Sequence, residues 1–233
     1  MLNEVSLAQK NSMDMPIYNW SDSIIGQQNS GLFNGFVYVE KHKMINDRHK
    51  FFKDFNFSVG KVIYDNKPFD KILLKYNIYE DQLILKHSFA PNDPTVLIDK
   101  KRIVEFSLLD HHFVNLNIEI EKGKSIAGFF ERLININELQ VLKKYQKRIR
   151  NRTNEKIQYQ EFTDDNQYYV KVDETYVPIK NPKKLSKQFS SYKEIINSIL
   201  LDDEAINKSS YEEYLIKVFT AIAKNKKSVN TKS

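Results

Sequence analysis

The chain has 233 residues, of which 41% are hydrophobic and 12% aromatic, so it is long and apolar enough to bury a core of its own. It contains no cysteine, which excludes zinc-thiolate sites, iron–sulfur clusters, thiol catalysis and disulfides. The formal net charge of +6 arises from 36 basic and 30 acidic residues. Such an excess fits an anionic partner, but a bias toward Lys, Asn and Ile explains it more simply.

The sequence predicts no membrane-spanning helix, and its N-terminal segment does not resemble a secretory signal. No apolar run approaches the roughly 18 residues that a spanning helix needs. Residues 1–20 are polar and lack a basic segment followed by an apolar one. We therefore expect residues 1–30 to be a loose lead-in. The protein is then either cytoplasmic or an envelope protein whose signal has been removed.

Short strand-like runs follow one another between residues 31 and 180. The clearest runs alternate apolar and polar residues at period two, over residues 72–79, 82–87, 102–108, 112–118 and 167–172. Weaker runs lie at residues 32–39, 59–64, 95–98, 128–133, 139–149, 159–162 and 175–179. Turn-forming residues separate them, and no intervening helix is long enough for a crossover. We predict an antiparallel sheet that is curved or forms a partly open barrel.

The hydrophobic period changes in the C-terminal part, which predicts a helical pair over residues 181–223. Asn181-Pro182 is typical of a helix start. Two capping-box patterns begin at Ser191 and Ser210, each followed by apolar residues at helical spacing. Residues 224–233 form a basic tail that we expect to be frayed. The predicted class is therefore α+β, with the helical pair packed on the sheet.

Five short motifs lie in this order along the predicted strands: Gly60-Lys61-Val62-Ile63-Tyr64-Asp65, Leu74-Lys75-Tyr76-Asn77, Asp81-Gln82-Leu83, Gly128-Phe129-Phe130-Glu131-Arg132-Leu133 and Tyr168-Tyr169-Val170-Lys171. With the terminal helices, they make residues 29–223 resemble a family of uncharacterised Bacteroidota proteins that are usually predicted to be exported. His49-Lys50-Phe51-Phe52 stands where relatives have a His-Pro-Phe-Phe-like element. The resemblance implies a β-rich envelope protein, an accessory to an outer-membrane complex, and it brings no catalytic residues.

The sequence contains no signature of catalysis, metal binding or cofactor binding. The histidines are His42, His49, His87, His111 and His112, and the adjacent pair should point to opposite faces of a strand. No nucleophile motif, phosphate loop or calcium loop is present. Acidic runs at Asp164-Asp165 and at residues 202–204 are typical of solvated turns. We therefore expect a protein that is not an enzyme and needs no metal or cofactor.

The strongest functional signal is a basic stripe over residues 143–152. It combines six cationic residues with a tyrosine, and its candidate partner-binding residues are Lys143, Lys144, Tyr145, Lys147, Arg148, Arg150 and Arg152. Such a stripe can bind an acidic protein, phosphate or lipid head groups, or nucleic acid with Tyr145 stacking on a base. It can also be a charged edge strand that blocks unwanted pairing.

Three functional hypotheses follow, and the leading one is a non-enzymatic accessory protein that docks on a cell-envelope complex through the basic stripe. The alternative is a small-ligand-binding β protein that uses the concave sheet face. Tyrosines on the strands, namely Tyr76, Tyr79, Tyr168, Tyr169 and Tyr176, would line that face, although such residues more often form cross-strand packing pairs. A nucleic-acid binder is the weaker alternative.

Overall fold

Antiparallel strands make up most of the protein. The computed structural model describes residues 31–86, 94–121, 123–136, 139–172, 174–179, 181, 184–202 and 211–230. The strands are β1 (Phe36–Val37), β2 (Ser58–Tyr64), β3 (Lys67–Asn77), β4 (Gln82–Lys86), β5 (Thr95–Leu97), β6 (Ile103–Leu108), β7 (His111–Glu121), β8 (Lys124–Ile136), β9 (Leu139–Lys144), β10 (Lys147–Asn154), β11 (Ile157–Asp164), β12 (Gln167–Val172) and β13 (Thr175–Ile179). The helices are α1 (Leu185–Gln188), α2 (Lys193–Asp202) and α3 (Tyr211–Asn230).

Eleven strands form one curved sheet that does not close, in the order β1-β5-β4-β3-β2-β6-β7-β8-β9-β12-β13. Most neighbours in the sheet are also neighbours in sequence. The pairings β1–β5, β2–β6 and β9–β12 are the non-local ones. β10 and β11 form a separate two-stranded sheet, which we call the arm. The predicted curved antiparallel sheet is confirmed.

Two-residue turns with positive φ angles set the register of the hairpins. Asp65 and Asn66 (φ 49° and 60°) join β2 to β3, and Leu109 and Asp110 (φ 50° and 62°) join β6 to β7. Turns of this kind match the twist of the flanking strands, and Asn and Asp tolerate the left-handed region. Leu109 is an unusual residue there, and its side chain packs against the core.

One face of the sheet carries two core clusters side by side. The first, the aromatic core, is built from rings whose centroids lie 4.7 to 5.7 Å apart, those of Tyr76, Phe106, Phe113 and Phe129. The loop before β2 inserts Phe52 between Phe113 and Tyr145. The second, the helix-covered core, joins β8, β9 and β12 to the helices through Ile134, Val141, Val170, Leu215 and Phe219.

The opposite face of β7, β8, β9 and β12 carries a third, smaller group that we call the outer cluster. It contains Ile118, Phe130, Leu142 and Tyr169, with Tyr176 of β13 packed against it. The sheet curls around these side chains, which brings β13 close to β7. Burial on both faces explains why Phe129 and Phe130 can be adjacent on β8 and both be fully buried.

The C-terminal helices pack on the sheet as predicted. α3 buries Tyr214, Leu215, Val218, Phe219 and Ile222, a spacing that places them on one helix face. α2 contributes Ile196 and α1 contributes Leu185 to the same core. None of the described helices is both long and apolar enough to cross a membrane.

The boundaries of several elements differ from the prediction. β1 has two residues rather than a run over residues 32–39, and the run predicted at residues 139–149 is divided between β9 and β10. α3 continues to Asn230, so residues 224–230 are helical rather than a frayed tail. Ser191 lies in a 3-10 turn before α2. Residues 1–30, Pro182 and Ser210 lie outside the described residues.

Candidate functional site

The structure divides the basic stripe into an internal part and an exposed part. β9 ends at Lys144, Tyr145 and Gln146 turn the chain, and β10 begins at Lys147. The side chains of Lys143, Lys144 and Tyr145 are buried in the body of the protein. The three arginines lie on the arm. The stripe is therefore not a single edge strand, which is one of the interpretations that the sequence allows.

Lys144 is neutralised by a carboxylate from the turn between β3 and β4. Its Nζ donates to Asp81 Oδ2 over 2.7 Å and to the carbonyl of Phe129 over 3.3 Å. Lys100 donates to the same Oδ2, and the Tyr76 hydroxyl donates to Oδ1 over 2.7 Å. Burial acts to raise the pKa of Asp81, but the attraction of Lys144 and the hydrogen bonds of both lysines hold it below its ordinary value.

Lys143 and Tyr145 belong to a polar network between the aromatic core and the helix-covered core. Lys143 pairs with Glu212 at the start of α3 and lies 4.0 Å from the centre of the Tyr145 ring. The Tyr145 hydroxyl donates to Glu131 over 2.8 Å. Burial, followed by the nearby Glu131 charge, raises the pKa of Tyr145. Tyr145 is thus an internal hydrogen-bond donor, and a base has no access to its ring face.

Glu131 also connects this network to the loop before β2. His111 lies 2.5 Å from its other carboxylate oxygen, through Nδ1. Because a carboxylate accepts at Nδ1, that nitrogen carries the proton, and Nε2 accepts from Lys53. We call Lys53, His111, Glu131 and Tyr145 the Glu131 network. Its members fix the loop on the sheet, and its charge is satisfied within the protein.

The root of the arm is held by Lys147 and Phe162. Lys147 Nζ donates to the carbonyl of His49 over 2.7 Å, and burial lowers the pKa of this lysine. The Phe162 ring meets the rings of His42 and Tyr79 at centroid distances of 5.3 and 5.1 Å. A backbone hydrogen bond from Phe162 to Arg48 ties the same strand to the preceding loop. Lys147 is therefore an anchor rather than a surface contact.

Arg148, Arg150 and Arg152 are the exposed part of the stripe. They alternate along β10, so their side chains share one face of the arm. Arg148 lies 2.7 Å from Asp165 with its side chain 73% exposed, and Arg152 lies 3.1 Å from Glu161 with 45% exposed. Arg150 is exposed and makes no ion pair within the described residues. Residues 151–158, at the tip, are all exposed.

Glu161 balances part of this charge at the base of the arm. It accepts from Arg152, from Asn46 over 3.0 Å and from Arg48 over 3.0 Å. Burial acts to raise the pKa of Glu161, but these hydrogen bonds outweigh it and lower the pKa. The exposed surface of the arm also carries Ile157 and the charged side chains of Glu155, Lys156 and Asp164.

Sequence reasoning did not find Asp81, Glu131, Glu212 or the buried Lys50. Lys50 is 1% exposed and is paired with Glu40 at 2.9 Å and Glu80 at 3.2 Å. A usable signal exists for Glu131 alone, because it follows Phe129 at period two on an inward-facing run. Its partners come from distant parts of the chain, so the sequence could not identify them.

The tyrosines that suggested a ligand cavity mostly pack internally. Tyr76 and Tyr169 are each 1% exposed, and Tyr168 donates to Glu212 over 3.1 Å. Two shallow depressions on the described surface lie elsewhere, one of about 380 Å3 at the root of the arm and one of about 290 Å3 along β2, β3 and β6. The concave-face binding site stays a prediction, and the packed tyrosines give it no support.

The four histidines within the described residues do not gather around one point. His111 and His112 face opposite sides of β7, as predicted, since His111 meets Glu131 and His112 meets Glu105 at 3.3 Å. His42 and His49 lie in the loop before β2, and His87 lies outside the described residues. Within the described part of the chain, no group of three or more acidic or histidine side chains is arranged to hold a metal ion.

Comparison with known proteins gives no match: no protein-family model, no curated protein and no solved structure is significantly similar to this chain. The resemblance to the Bacteroidota family and the envelope location that it implies therefore stay predictions.

Proposed function

We propose that the protein is a non-enzymatic docking protein that binds an acidic protein surface through the arm. The observation that carries the proposal is the contrast between the two parts of the basic stripe. Lys143, Lys144 and Lys147 are bound by internal partners, whereas Arg148, Arg150 and Arg152 lie together on an exposed hairpin. Two of these arginines pair with carboxylates there, and Arg150 makes no ion pair within the described residues. Arginine pairs with carboxylates through two parallel hydrogen bonds, which suits specific recognition of protein carboxylates.

The composition of the arm favours a protein partner over nucleic acid. A single-strand binder combines basic groups with aromatic rings on which bases stack. Tyr145, the ring proposed for that role, is buried and bound to Glu131. The arm carries the half-buried Tyr159 opposite Arg152 and the exposed Ile157, and an apolar side chain beside arginines is common in protein interfaces. An accessory role at an envelope complex is compatible with this proposal and rests on the resemblance alone.

The test is recovery of a partner with matched charge variants. The tagged protein is purified from its native cells in mild detergent, and co-purifying proteins are quantified by mass spectrometry. We expect a stoichiometric partner with an acidic surface for the unmodified chain. Substituting Glu at Arg148, Arg150 and Arg152 should remove it, because like charges facing each other at an interface repel.

The control changes the same number of charges elsewhere. Lys61, Lys67 and Lys101 are exposed on the body of the protein, and replacing all three by Glu alters the net charge equally. This variant should retain the partner. A partner that stays with the arm variant, or one that both variants lose alike, would show that the arm is not the docking site. Recovery of nucleic acid that high salt releases would favour the weaker alternative.

A further inference from the structure

The two edges of the arm differ in what covers them. On the β11 edge, Gln160 N–H donates to the carbonyl of Lys43 and Phe162 N–H to that of Arg48, both over 2.8 Å. The chain's own loop thus protects that edge. β10, the other edge, has no neighbouring strand but β11 within the described residues. An uncovered strand edge is a template for pairing with another chain.

The register identifies which backbone groups of β10 point outward. Asn154 faces Ile157 across the two-residue loop at Glu155 and Lys156, so this pair exchanges hydrogen bonds within the arm. Hydrogen-bonded pairs then alternate, and the outward positions on β10 are Ile149, Asn151 and Thr153. The same rule makes Gln160 and Phe162 outward on β11, which agrees with their bonds to the loop.

The arginines occupy the alternate positions. Their N–H groups point toward β11, and their side chains share one face beside the open edge. A strand added there would place every second side chain directly opposite or diagonal to a guanidinium, within the roughly 5–8 Å of cross-strand neighbours. Carboxylates at those positions would pair with the arginines.

We propose that the arm binds an extended, acidic segment of its partner by strand addition to β10. This inference rests on the proposed function and specifies how the arm recognises its partner. The backbone of the segment completes the hydrogen bonds of Ile149, Asn151 and Thr153, and alternate Asp or Glu residues pair with Arg148, Arg150 and Arg152. A second copy of this chain is a poor occupant, because β10 against β10 would bring arginines close to one another.

The experiment uses the full chain and a fluorescent eight-residue peptide of alternating Glu and Thr, with an alternating Gln and Thr peptide for comparison. Binding is followed by fluorescence anisotropy. Thr153 and Gln158 face each other across the arm, with outward N–H groups on opposite edges. Thr153→Pro removes a donor from the β10 edge and should weaken binding of the acidic peptide by about tenfold or more, while Gln158→Pro should not.

Amide hydrogen exchange by NMR gives a second measurement that needs no substitution. Bound acidic peptide should slow exchange at Ile149, Asn151 and Thr153 by at least about tenfold, because these amides gain acceptors. Unchanged exchange at all three during saturated binding would overturn strand addition.

The outcomes separate this inference from the proposed function. One outcome is that reversing the charge of the three arginines abolishes peptide binding, while Thr153→Pro leaves the affinity unchanged and bound peptide leaves the exchange of the outward amides unchanged. That result would support a charged docking surface and exclude strand addition. Equal binding of the Gln peptide, or of the arginine-reversed chain, would overturn both. Self-association of the protein without peptide, seen by sedimentation and abolished by Thr153→Pro, would assign the edge to a second copy instead.

Discussion

At the scale of single residues, this protein is defined by charged side chains that it buries and pairs. Lys50, Lys143 and Lys144 are each less than 10% exposed, a degree of burial that is rare for lysine unless a partner is present. Each pairs with a carboxylate. Removing one partner of a buried pair leaves the other charge uncompensated, which costs more than the pair itself contributes. These lysines therefore act on stability. The exposed arginines, two of which also pair with carboxylates, are the residues proposed for binding.

Asp81 gives the clearest pH prediction at this scale. Its carboxylate is held below its ordinary pKa in the folded protein and titrates near 3.9 when unfolded. The stability it contributes is thus fully present above about pH 4 and is lost as pH falls through the lower, folded pKa. Asp81→Asn should cost about 2–3 kcal/mol at pH 7, since Lys144 and Lys100 lose a charged acceptor. Urea unfolding at pH 7, 5, 4 and 3 measures this.

The difference in the free energy of unfolding between Asp81→Asn and the unmodified chain should become smaller below about pH 4. Asp70→Asn is the control, because Asp70 is 61% exposed and its partner Lys61, 3.0 Å away, is 72% exposed. Such surface pairs contribute up to about 1 kcal/mol. If that difference in the free energy of unfolding stays constant from pH 7 to pH 3, the ionised Asp81 carboxylate is not the source of the stabilisation.

At the scale of elements, α3 completes the side of the sheet that β8, β9 and β12 leave apolar. Phe219 is 1% exposed and meets Phe189 at a centroid distance of 5.4 Å. Glu212, in the first turn, accepts from Lys143 and Tyr168, which fixes the start of the helix over the sheet. Because an isolated helix is only marginally stable in water, its packing must hold it.

Phe219→Ala tests that dependence. The substitution leaves a cavity in the helix-covered core and should lower the free energy of unfolding by about 3–5 kcal/mol. Glu213→Ala changes an exposed residue of the same helix and should cost under about 1 kcal/mol. Urea unfolding followed by circular dichroism compares the two. Equal, small effects would mean that the helix contributes little to the folded state.

The elements also show how far sequence reasoning reaches. The runs predicted at residues 167–172 and 175–179 coincide with β12 and β13, because short apolar and aromatic runs between turn residues are typical of strands. The sequence does not show the break between β9 and β10, because Lys143 and Lys144 resemble surface residues in a continuous basic run. Their partners, Glu212 and Asp81, are 69 and 63 residues away, so only the folded chain shows that these lysines point inward. The sequence groups Lys147 with the arginines in one candidate binding stripe and does not show that Lys147 donates to the carbonyl of His49.

At the scale of the whole molecule, β8 joins what would otherwise be separate cores. Phe129 lies in the aromatic core, Phe130 in the outer cluster and Ile134 in the helix-covered core. Glu131, between them, bonds to both His111 and Tyr145. Because one 13-residue strand runs through all three clusters, we expect them to unfold as one cooperative unit rather than in steps.

A substitution at Gly60 on β2, three strands away from β8 in the sheet, tests whether unfolding is cooperative. It lies where β2 pairs with β6, and a Cβ at this position would stand 2.4 Å from the carbonyl oxygen of Ser107 and 2.7 Å from Leu74. Gly60→Ala must therefore push two strands apart, at a cost of about 1–3 kcal/mol. Val59→Ala, at a neighbouring residue that is 56% exposed, should cost within about 0.5 kcal/mol.

Hydrogen exchange read by mass spectrometry distinguishes one unit from several, since in a cooperative unit the most protected amides exchange through global unfolding. Gly60→Ala should then speed exchange by a similar factor in peptides from β2, β8 and α3. The reason is that the strain at the β2–β6 pairing lowers the stability of everything that unfolds with it. Acceleration confined to β2, β3 and β6, with α3 unchanged, would show that the helix-covered core folds independently and that β8 does not couple the clusters.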